Sequence, residues 1–237
     1  MKSTYSIVLW KKSHDKGLDD TFKNTFETLS ILQKYNPSYR PNYLTCCSKA
    51  EAMSVPKFEW NYDNFVGQLR KGVNKEGDKE FPDLGYSISF FSSKESDSVG
   101  ISTHVGIVNK LFHDSIVINL HNNVDWNDAA TAEEIERLFR ELCKEYNPIW
   151  GGICDNNLLL RFNGYLSDGK PNFLCWLNYW PDDIEEKVGK KKIKKAVKKY
   201  PDMDYSDHIL KVGKKPYSVE NEEDIRQLIE RQDYILK

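Results

Sequence analysis

Three extended segments in the middle of the chain restrict its possible folds most strongly. Each alternates apolar residues with small or polar ones, and they span residues 86–91, 99–108 and 115–120. Alternation with a period of two places the apolar side chains on one face of a strand. Because the connections are short, we predict an antiparallel meander with one core face and one lighter, partly solvated face. Four polar residues are expected on that lighter face: Ser87, Ser89, Ser102 and His104.

Helical periodicity surrounds this meander. Apolar residues recur every three or four positions over residues 18–32, 58–73, 132–146 and 225–232, which predicts amphipathic helices. A capping box of Thr131 and Glu134 is expected to begin the third helix, and Asn221 to cap the last. Further strands are predicted at residues 5–10, 43–47, 149–153, 158–162, 173–180 and 208–213, with an Asn-Gly turn at residues 163–164. This order predicts the α+β class, with one domain over residues 1–237 and a mixed or mainly antiparallel sheet flanked by helices.

The apolar and cysteine content predicts a cytoplasmic protein. The first apolar run is too short for a signal peptide, and no stretch of the chain approaches the roughly 20 apolar residues that cross a bilayer. The chain has five cysteines, an odd number without metal-ligand spacing, which indicates reduced and mostly buried thiols. We therefore expect no membrane partner.

The net charge of −2 conceals a marked asymmetry. Eight lysines and no carboxylate occur between residues 187 and 199, so the rest of the chain carries a charge of −2 − 8 = −10. This lysine segment is predicted to be a short basic amphipathic helix or a mobile arm. The asymmetry leaves two interpretations open, an acidic surface for a basic partner or a basic arm for an acidic one. Direct nucleic-acid binding is not expected, because no aromatic residues are interleaved with the lysines.

Familiar catalytic motifs are missing from the sequence, which contains no nucleophile elbow, no phosphate-binding loop and no paired histidines at metal-ligand spacing. Asp182 and Glu185 superficially resemble the carboxylates of a Mg²⁺-dependent nuclease, but their spacing instead predicts the acidic first turn of a helix. We therefore predict no enzyme activity, no cofactor and no metal. Two alternatives remain, a general protein-interaction module and an enzyme whose site forms only in three dimensions. Candidate residues for that enzyme are His104 and His121 on neighbouring strands, with either Asp114 or Asp125.

Three segments of the last third carry a resemblance to a known family. They are residues 175–181 (Cys-Trp-Leu-Asn-Tyr-Trp-Pro), 208–213 (His-Ile-Leu-Lys-Val-Gly) and 216–221 (Pro-Tyr-Ser-Val-Glu-Asn) with the helix that follows. Together they resemble the immunity protein 52 family of bacterial polymorphic toxin systems. The resemblance implies a cytoplasmic protein that neutralises a co-encoded toxin by stoichiometric occlusion. Such a toxin typically has a restriction-endonuclease-like nuclease domain.

Two acidic clusters are the predicted toxin-binding surfaces. A nuclease must present basic residues to phosphates, and opposing carboxylates would speed association and block the same groove. The first cluster lies in a polar segment before the third helix, where the tryptophan is predicted to be either a binding anchor or a lid on the core. It consists of Asp125, Trp126 and Asp128, and the second cluster consists of Asp182, Asp183, Glu185 and Glu186. The lysine segment is the rival surface, and it would suit an acidic partner.

Overall fold

Antiparallel strand pairing organises the fold of this protein. The computed structural model describes residues 3–12, 17–95, 97–110, 112–159, 166–167 and 170–237. Within these residues the strands are β1 (Tyr5–Lys12), β2 (Tyr43–Leu44), β3 (Lys75–Glu76), β4 (Lys79–Glu80), β5 (Tyr86–Phe91), β6 (Gly100–Val105), β7 (His113–Asn119), β8 (Trp150–Asp155), β9 (Leu166–Ser167), β10 (Lys170–Pro171), β11 (Leu177–Tyr179), β12 (Asp204–Ser206) and β13 (Ile209–Lys211). The helices are α1 (Leu18–Ser30), α2 (Lys49–Ser54), α3 (Tyr62–Lys71), α4 (Ala129–Tyr146), α5 (Asn156–Leu159), α6 (Asp182–Val188), α7 (Lys190–Lys199) and α8 (Glu222–Leu236).

One nine-stranded sheet runs through the molecule in the order β12-β13-β11-β8-β1-β7-β6-β5-β2. Every neighbouring pair in it is antiparallel. The predicted α+β class, with a mainly antiparallel sheet and flanking helices, is therefore confirmed. Among the described residues, no helix combines the length and the apolar character needed to cross a membrane.

The predicted meander corresponds to β5, β6 and β7, and its two faces differ as expected. Ile88, Ile101 and Ile116 are buried on one face. The opposite face carries Ser87, Ser89, Ser102 and His104, which are partly or fully exposed. The alternation of apolar and polar residues therefore fixes which side of this sheet meets the core.

Helices cover both faces of the sheet around its centre, and β1 is buried between them. Ile7 and Leu9 point into a core built with α1, α3 and α4. Val8 points the other way, into a core built with α6, α7 and α8. A strand covered on both faces is apolar at successive positions rather than at alternate ones, which explains the continuous apolar run near the start of the chain.

Side-chain caps shift the ends of several predicted elements. The capping box of Thr131 and Glu134 is wrong, because Asp128 caps α4 by accepting from the backbone N–H groups of Ala130 at 3.3 Å and Thr131 at 3.2 Å. The predicted strand at residues 43–47 is shorter, since it covers Tyr43–Leu44 and only one further backbone hydrogen bond follows, from the Thr45 N–H to the Ser89 carbonyl at 2.9 Å. The helix predicted from residue 58 begins at Tyr62. Asn61 caps it, because its side chain accepts from the backbone N–H of Asn64 at 2.9 Å.

Two predicted strands of the C-terminal half are also wrong in part. The segment 158–162 begins in helix α5, because the Asp155 carboxylate accepts from the N–H of Asn157 at 2.8 Å and ends β8. Its remaining residues and the predicted turn at residues 163–164 lie outside the described part of the chain. In the segment 173–180, only Leu177–Tyr179 pairs as a strand. The Asn178 side chain bonds both the N–H and the carbonyl of Cys175 at 2.8 Å, which holds the preceding chain in an irregular buried path.

Candidate functional site

The carboxylates of the first predicted cluster stabilise local backbone. Asp125 accepts from the N–H of Asn127 at 3.0 Å and so closes the turn before α4. The Asp128 carboxylate accepts from the Thr131 hydroxyl at 2.6 Å in addition to the two N–H groups that it caps. The Thr131 hydroxyl and these backbone donors hold the pKa of Asp128 below its ordinary value. Both aspartates are exposed, but their hydrogen-bonding capacity is partly used within the chain.

Trp126 packs inward, as the lid interpretation predicted. Its ring centroid lies 5.1 Å from that of Tyr5 and 5.4 Å from that of Trp176, both in edge-to-face geometry. Trp176 is itself buried, and its indole N–H donates to the Gly213 carbonyl at 2.9 Å. Trp126 therefore covers the end of the core, and its role as a binding anchor stays a prediction.

The second predicted cluster lies on α6, where the first turn is acidic as the spacing indicated. Asp182, Asp183 and Glu186 are exposed. Glu185 differs, because its side chain is only 5 % exposed. Helical geometry explains the split, since Glu185 follows Ile184 on the side of the helix that faces the core. The surface of this cluster, which we call the α6 acidic surface, is therefore made of Asp182, Asp183 and Glu186.

Glu185 is the centre of a polar cluster that joins α6 to the hairpin of β12 and β13. Its Oε1 lies 2.6 Å from His208 Nδ1 and also accepts from the Tyr205 hydroxyl. Its Oε2 lies 3.1 Å from Lys190 Nζ, which is also 3.1 Å from Asp182 Oδ1. The hydrogen bond from the Lys190 ammonium holds the pKa of the exposed Asp182 carboxyl below its ordinary value. The buried carboxylate is thus surrounded by donors from three separate elements.

The turn that presents His208 has an unusual backbone. Asp207 and His208 have φ angles of 49° and 63°, and they form the two-residue connection between β12 and β13. Hairpin turns of two residues favour positive φ at both positions, and aspartate and histidine tolerate it better than most residues. The strand predicted at residues 208–213 therefore begins one residue later, at Ile209, and the contact of His208 with Glu185 was not predicted. The Asp-His pair between a short polar segment, residues 204–206, and the apolar Ile209 and Leu210 is the signal that could have indicated the turn.

Three potential metal ligands meet in this cluster, although the sequence predicted none. One ligand atom each from Asp182, Glu185 and His208 lies within 4.8 Å of the others. The Lys190 ammonium contacts both carboxylates of this group. The two carboxylates therefore attract a cation, and in this structure the Lys190 ammonium is that cation.

A cavity of about 510 Å³ opens beside His208. Its walls come from the last turns of α4 and from β11 and the β12–β13 hairpin, and they comprise Arg140, Cys143, Lys144, Asn147, Tyr179, Asp207, His208 and Ile209. Burial raises the pKa of the Cys143 thiol well above its ordinary value. Burial also raises the pKa of Tyr179. Both groups are consequently neutral near pH 7, so Cys143 is poorly suited to act as a nucleophile.

The two predicted acidic clusters lie on different surfaces. Asp128 caps the N-terminus of α4, whereas the cavity beside α6 and His208 is lined by the C-terminal residues Lys144 and Asn147. The helix has 18 residues, which corresponds to about 27 Å at the standard rise. A single partner face of ordinary size would be centred on one cluster or on the other.

The residues of the enzyme alternative do not converge. His104 pairs with Ser115 near one end of β6, and its Nε2 lies 2.7 Å from the Leu84 carbonyl oxygen. His121 follows the end of β7 that pairs with Gly100, at the opposite end of β6. Asp114 is buried and accepts from the N–H of Ile107 at 3.0 Å. This predicted constellation is therefore wrong, and the chemistry-bearing residues that do meet are Glu185 and His208.

The lysine segment forms a packed helix, so the mobile-arm alternative is wrong. Most of it is α7, which buries Ile193 and Ala196 against the core. At its two ends, Lys190 contacts the α6 carboxylates and Lys199 lies 3.8 Å from Glu230. The lysines on the outer side of the helix are exposed, namely Lys191, Lys194, Lys195 and Lys198. They form a basic stripe next to the α6 acidic surface.

Comparison with known proteins establishes the fold and no closer relationship. No protein-family model matches the chain, and no curated protein matches it by sequence. The fold is similar to that of a solved structure described as Pseudomonas aeruginosa T6SS protein PA0821, with a TM-score of 0.62 and 11 % sequence identity. The similarity covers 98 % of this chain and 73 % of the Pseudomonas chain. These comparisons give no support to membership of the immunity protein 52 family, which stays a prediction from the C-terminal segments.

Proposed function

We propose that this protein is an immunity protein that binds and neutralises a cognate bacterial toxin. The observation that carries the proposal is the similarity of nearly the whole fold to a bacterial T6SS protein. The resemblance of the C-terminal segments to a toxin-immunity family points to the same role. In this proposal the protein acts in the cytoplasm, without turnover, by occupying the surface through which the toxin acts.

The partner that the charges favour is a nuclease domain with a basic groove. Outside the lysine segment the chain is strongly acidic, and complementary charge accelerates association and selects partners. A carboxylate surface seated on such a groove also takes the place of the phosphates of the nucleic acid. Specificity and rapid capture would follow from charge, and tight binding from the packed centre of the interface.

The α6 acidic surface is the better candidate for the contact. Asp182 is paired with Lys190, but Asp183 and Glu186 are exposed. Asp125 and Asp128 are exposed as well, but their carboxylates are bonded to the turn and helix that follow them. The cavity of about 510 Å³ next to it offers a recess for an anchoring side chain of the partner. Tyr179 and His208 at this recess supply the amphipathic contacts that are enriched at protein interfaces.

Co-expression with the toxin encoded beside this gene tests the proposal. The variant Asp183→Lys with Glu186→Lys reverses two exposed charges on α6. Its matched control, Asp125→Lys with Glu133→Lys, makes the same change of charge near the N-terminus of α4, away from α6. We expect the native protein and the control to restore growth and the α6 variant to protect poorly. If the native protein does not improve survival, the immunity function is wrong, and if only the control fails, the chosen surface is wrong.

A second candidate function is enzymatic, and it now rests on His208 instead of His104 and His121. A carboxylate bonded to Nδ1 orients an imidazole and leaves Nε2 available as a general base. His208 has this arrangement with Glu185, and it lines the cavity. An enzyme that destroys a toxin or its product would protect cells at less than one molar equivalent of the toxin. On this alternative, the variant His208→Ala would no longer protect them.

A further inference from the structure

The polar cluster between α6 and the β12–β13 hairpin has the composition of a metal site. Asp182 and Glu185 are three residues apart on α6, a spacing that places both side chains on one side of the helix. His208 approaches them from the hairpin turn, and the three ligand atoms lie within 4.8 Å of one another. We propose that Asp182, Glu185 and His208 bind a divalent first-row transition metal, which displaces the ammonium of Lys190.

Lys190 marks the position that such a cation would take. Its Nζ lies 3.1 Å from an oxygen of Asp182 and 3.1 Å from an oxygen of Glu185. The two carboxylates and the ammonium together carry one net negative charge. Replacing the ammonium by a dication brings the summed charge of the cation and the two carboxylates to zero, which favours the exchange most at the buried carboxylate of Glu185.

The ligand types select the class of metal. Imidazole together with carboxylates suits Zn²⁺ and its neighbours in the first row, whereas Mg²⁺ and Ca²⁺ prefer oxygen ligands alone. Three protein ligands leave at least one coordination position for water. The outer sphere is also present, since the Tyr205 hydroxyl donates to Glu185 and thereby fixes the orientation of the carboxylate.

Solvent can reach this site without any rearrangement of the core. The side chain of Asp182 is 73 % exposed and that of His208 is 43 % exposed, while Lys190 is 52 % exposed and free to swing outward. Only Glu185 is buried, which provides one fixed ligand. Metal binding would connect α6 to the hairpin by direct coordination, independently of any toxin.

Isothermal titration with ZnCl₂, and Co²⁺ absorption as a geometric readout, test the proposal. The background carries Cys46→Ser and Cys47→Ser, because the adjacent thiols of this loop could bind Zn²⁺ separately. Native protein is expected to bind one equivalent. Since outer-shell changes alone cost about 10–100-fold in affinity, His208→Ala and Asp182→Asn should each weaken binding at least about tenfold. Lys190→Met removes the competing ammonium and should tighten binding by about tenfold or more.

Controls separate loss of the site from loss of the fold. His121→Ala removes a histidine elsewhere and should leave the affinity unchanged, and far-UV circular dichroism should be the same for every variant. If Lys190→Met binds no metal, or if His208→Ala binds Zn²⁺ as tightly as the native protein, the proposed site is wrong. Neither outcome depends on whether the protein neutralises a toxin.

Discussion

Replacing Trp126 by alanine should destabilise the fold, and this distinguishes a core lid from a binding anchor. The indole makes two edge-to-face contacts, with Tyr5 and Trp176, each worth about 0.5–1.5 kcal/mol. A half-buried tryptophan removes roughly 100 Å² from water, which contributes about 2.5 kcal/mol at 25 cal/mol per Å². Because these contributions overlap, we expect the free energy of unfolding to fall by about 3 kcal/mol.

Urea unfolding monitored by far-UV circular dichroism measures this loss directly. Trp126→Phe keeps an aromatic ring against Tyr5 and Trp176 and should recover about half of the stability. Tyr62→Ala provides a comparison in which the first residue of α3 is removed, a more exposed aromatic residue with one edge-to-face contact, to Phe26. A change below about 0.5 kcal/mol for Trp126→Ala would refute the lid, because an exposed anchor contributes little to folding.

Three further perturbations test other parts of the structure. Asp202→Ala removes the carboxylate that lies 2.9 Å from the buried guanidinium of Arg231, and uncompensated burial of that charge should lower the free energy of unfolding by about 3 kcal/mol, measured by urea unfolding. In Gly72→Ala, the new Cβ would lie 1.8 Å from the Ser87 carbonyl oxygen, so we expect a loss of about 3 kcal/mol and a lower thermal midpoint, whereas Gly67→Ala meets no atom within 4 Å and should be tolerated. Burial opposes ionisation of Glu136, but Lys211 and Arg140 outweigh it and hold the pKa of Glu136 below its ordinary value. A depressed folded-state pKa stabilises the fold above the unfolded-state pKa, and this contribution disappears as the pH falls through the folded-state value. The stability difference between native protein and Glu136→Gln should therefore shrink between pH 7 and pH 3, and a difference that stays constant would contradict the ion-pair account.

Periodicity was sufficient to predict the central part of the fold. The meander is determined by alternation, since residues such as Ile88 and Ile116 can be buried only if their neighbours face the opposite side. The amphipathic helices follow from spacing in the same way, and the lysine segment, for which a basic amphipathic helix was one prediction, buries Ile193 and Ala196 on one side. These features depend on residues close in sequence, so a single sequence contains the necessary information.

The errors arose where one polar side chain decides the path of the backbone. Asp155 ends a strand by accepting from the N–H of Asn157, and Asn178 holds Cys175 out of the sheet. In both segments the apolar content indicated a continuing strand. Hydrophobic patterning cannot reveal such local bonds, because the same residues also occur as ordinary surface positions.

The candidate site could be predicted only in part, since its residues come together through the tertiary fold. The acidic turn of α6 is readable from its spacing, but Glu185 and His208 are 23 positions apart in the sequence. Their contact depends on the β12–β13 hairpin folding back beside α6. The sequence likewise did not indicate that Asp128 lies at one end of α4 and the cavity beside His208 at the other.

The most direct test of the immunity proposal is a titration of the purified cognate toxin that it postulates with the purified protein. If the protein acts by occlusion, toxin activity should fall linearly and reach its minimum at one molar equivalent. The α6 variant Asp183→Lys with Glu186→Lys should shift this curve to a large excess, particularly at low ionic strength where screening is weakest. Full toxin activity in the presence of a tenfold excess of the native protein would contradict the proposal, and complete inactivation far below one equivalent would indicate catalysis instead.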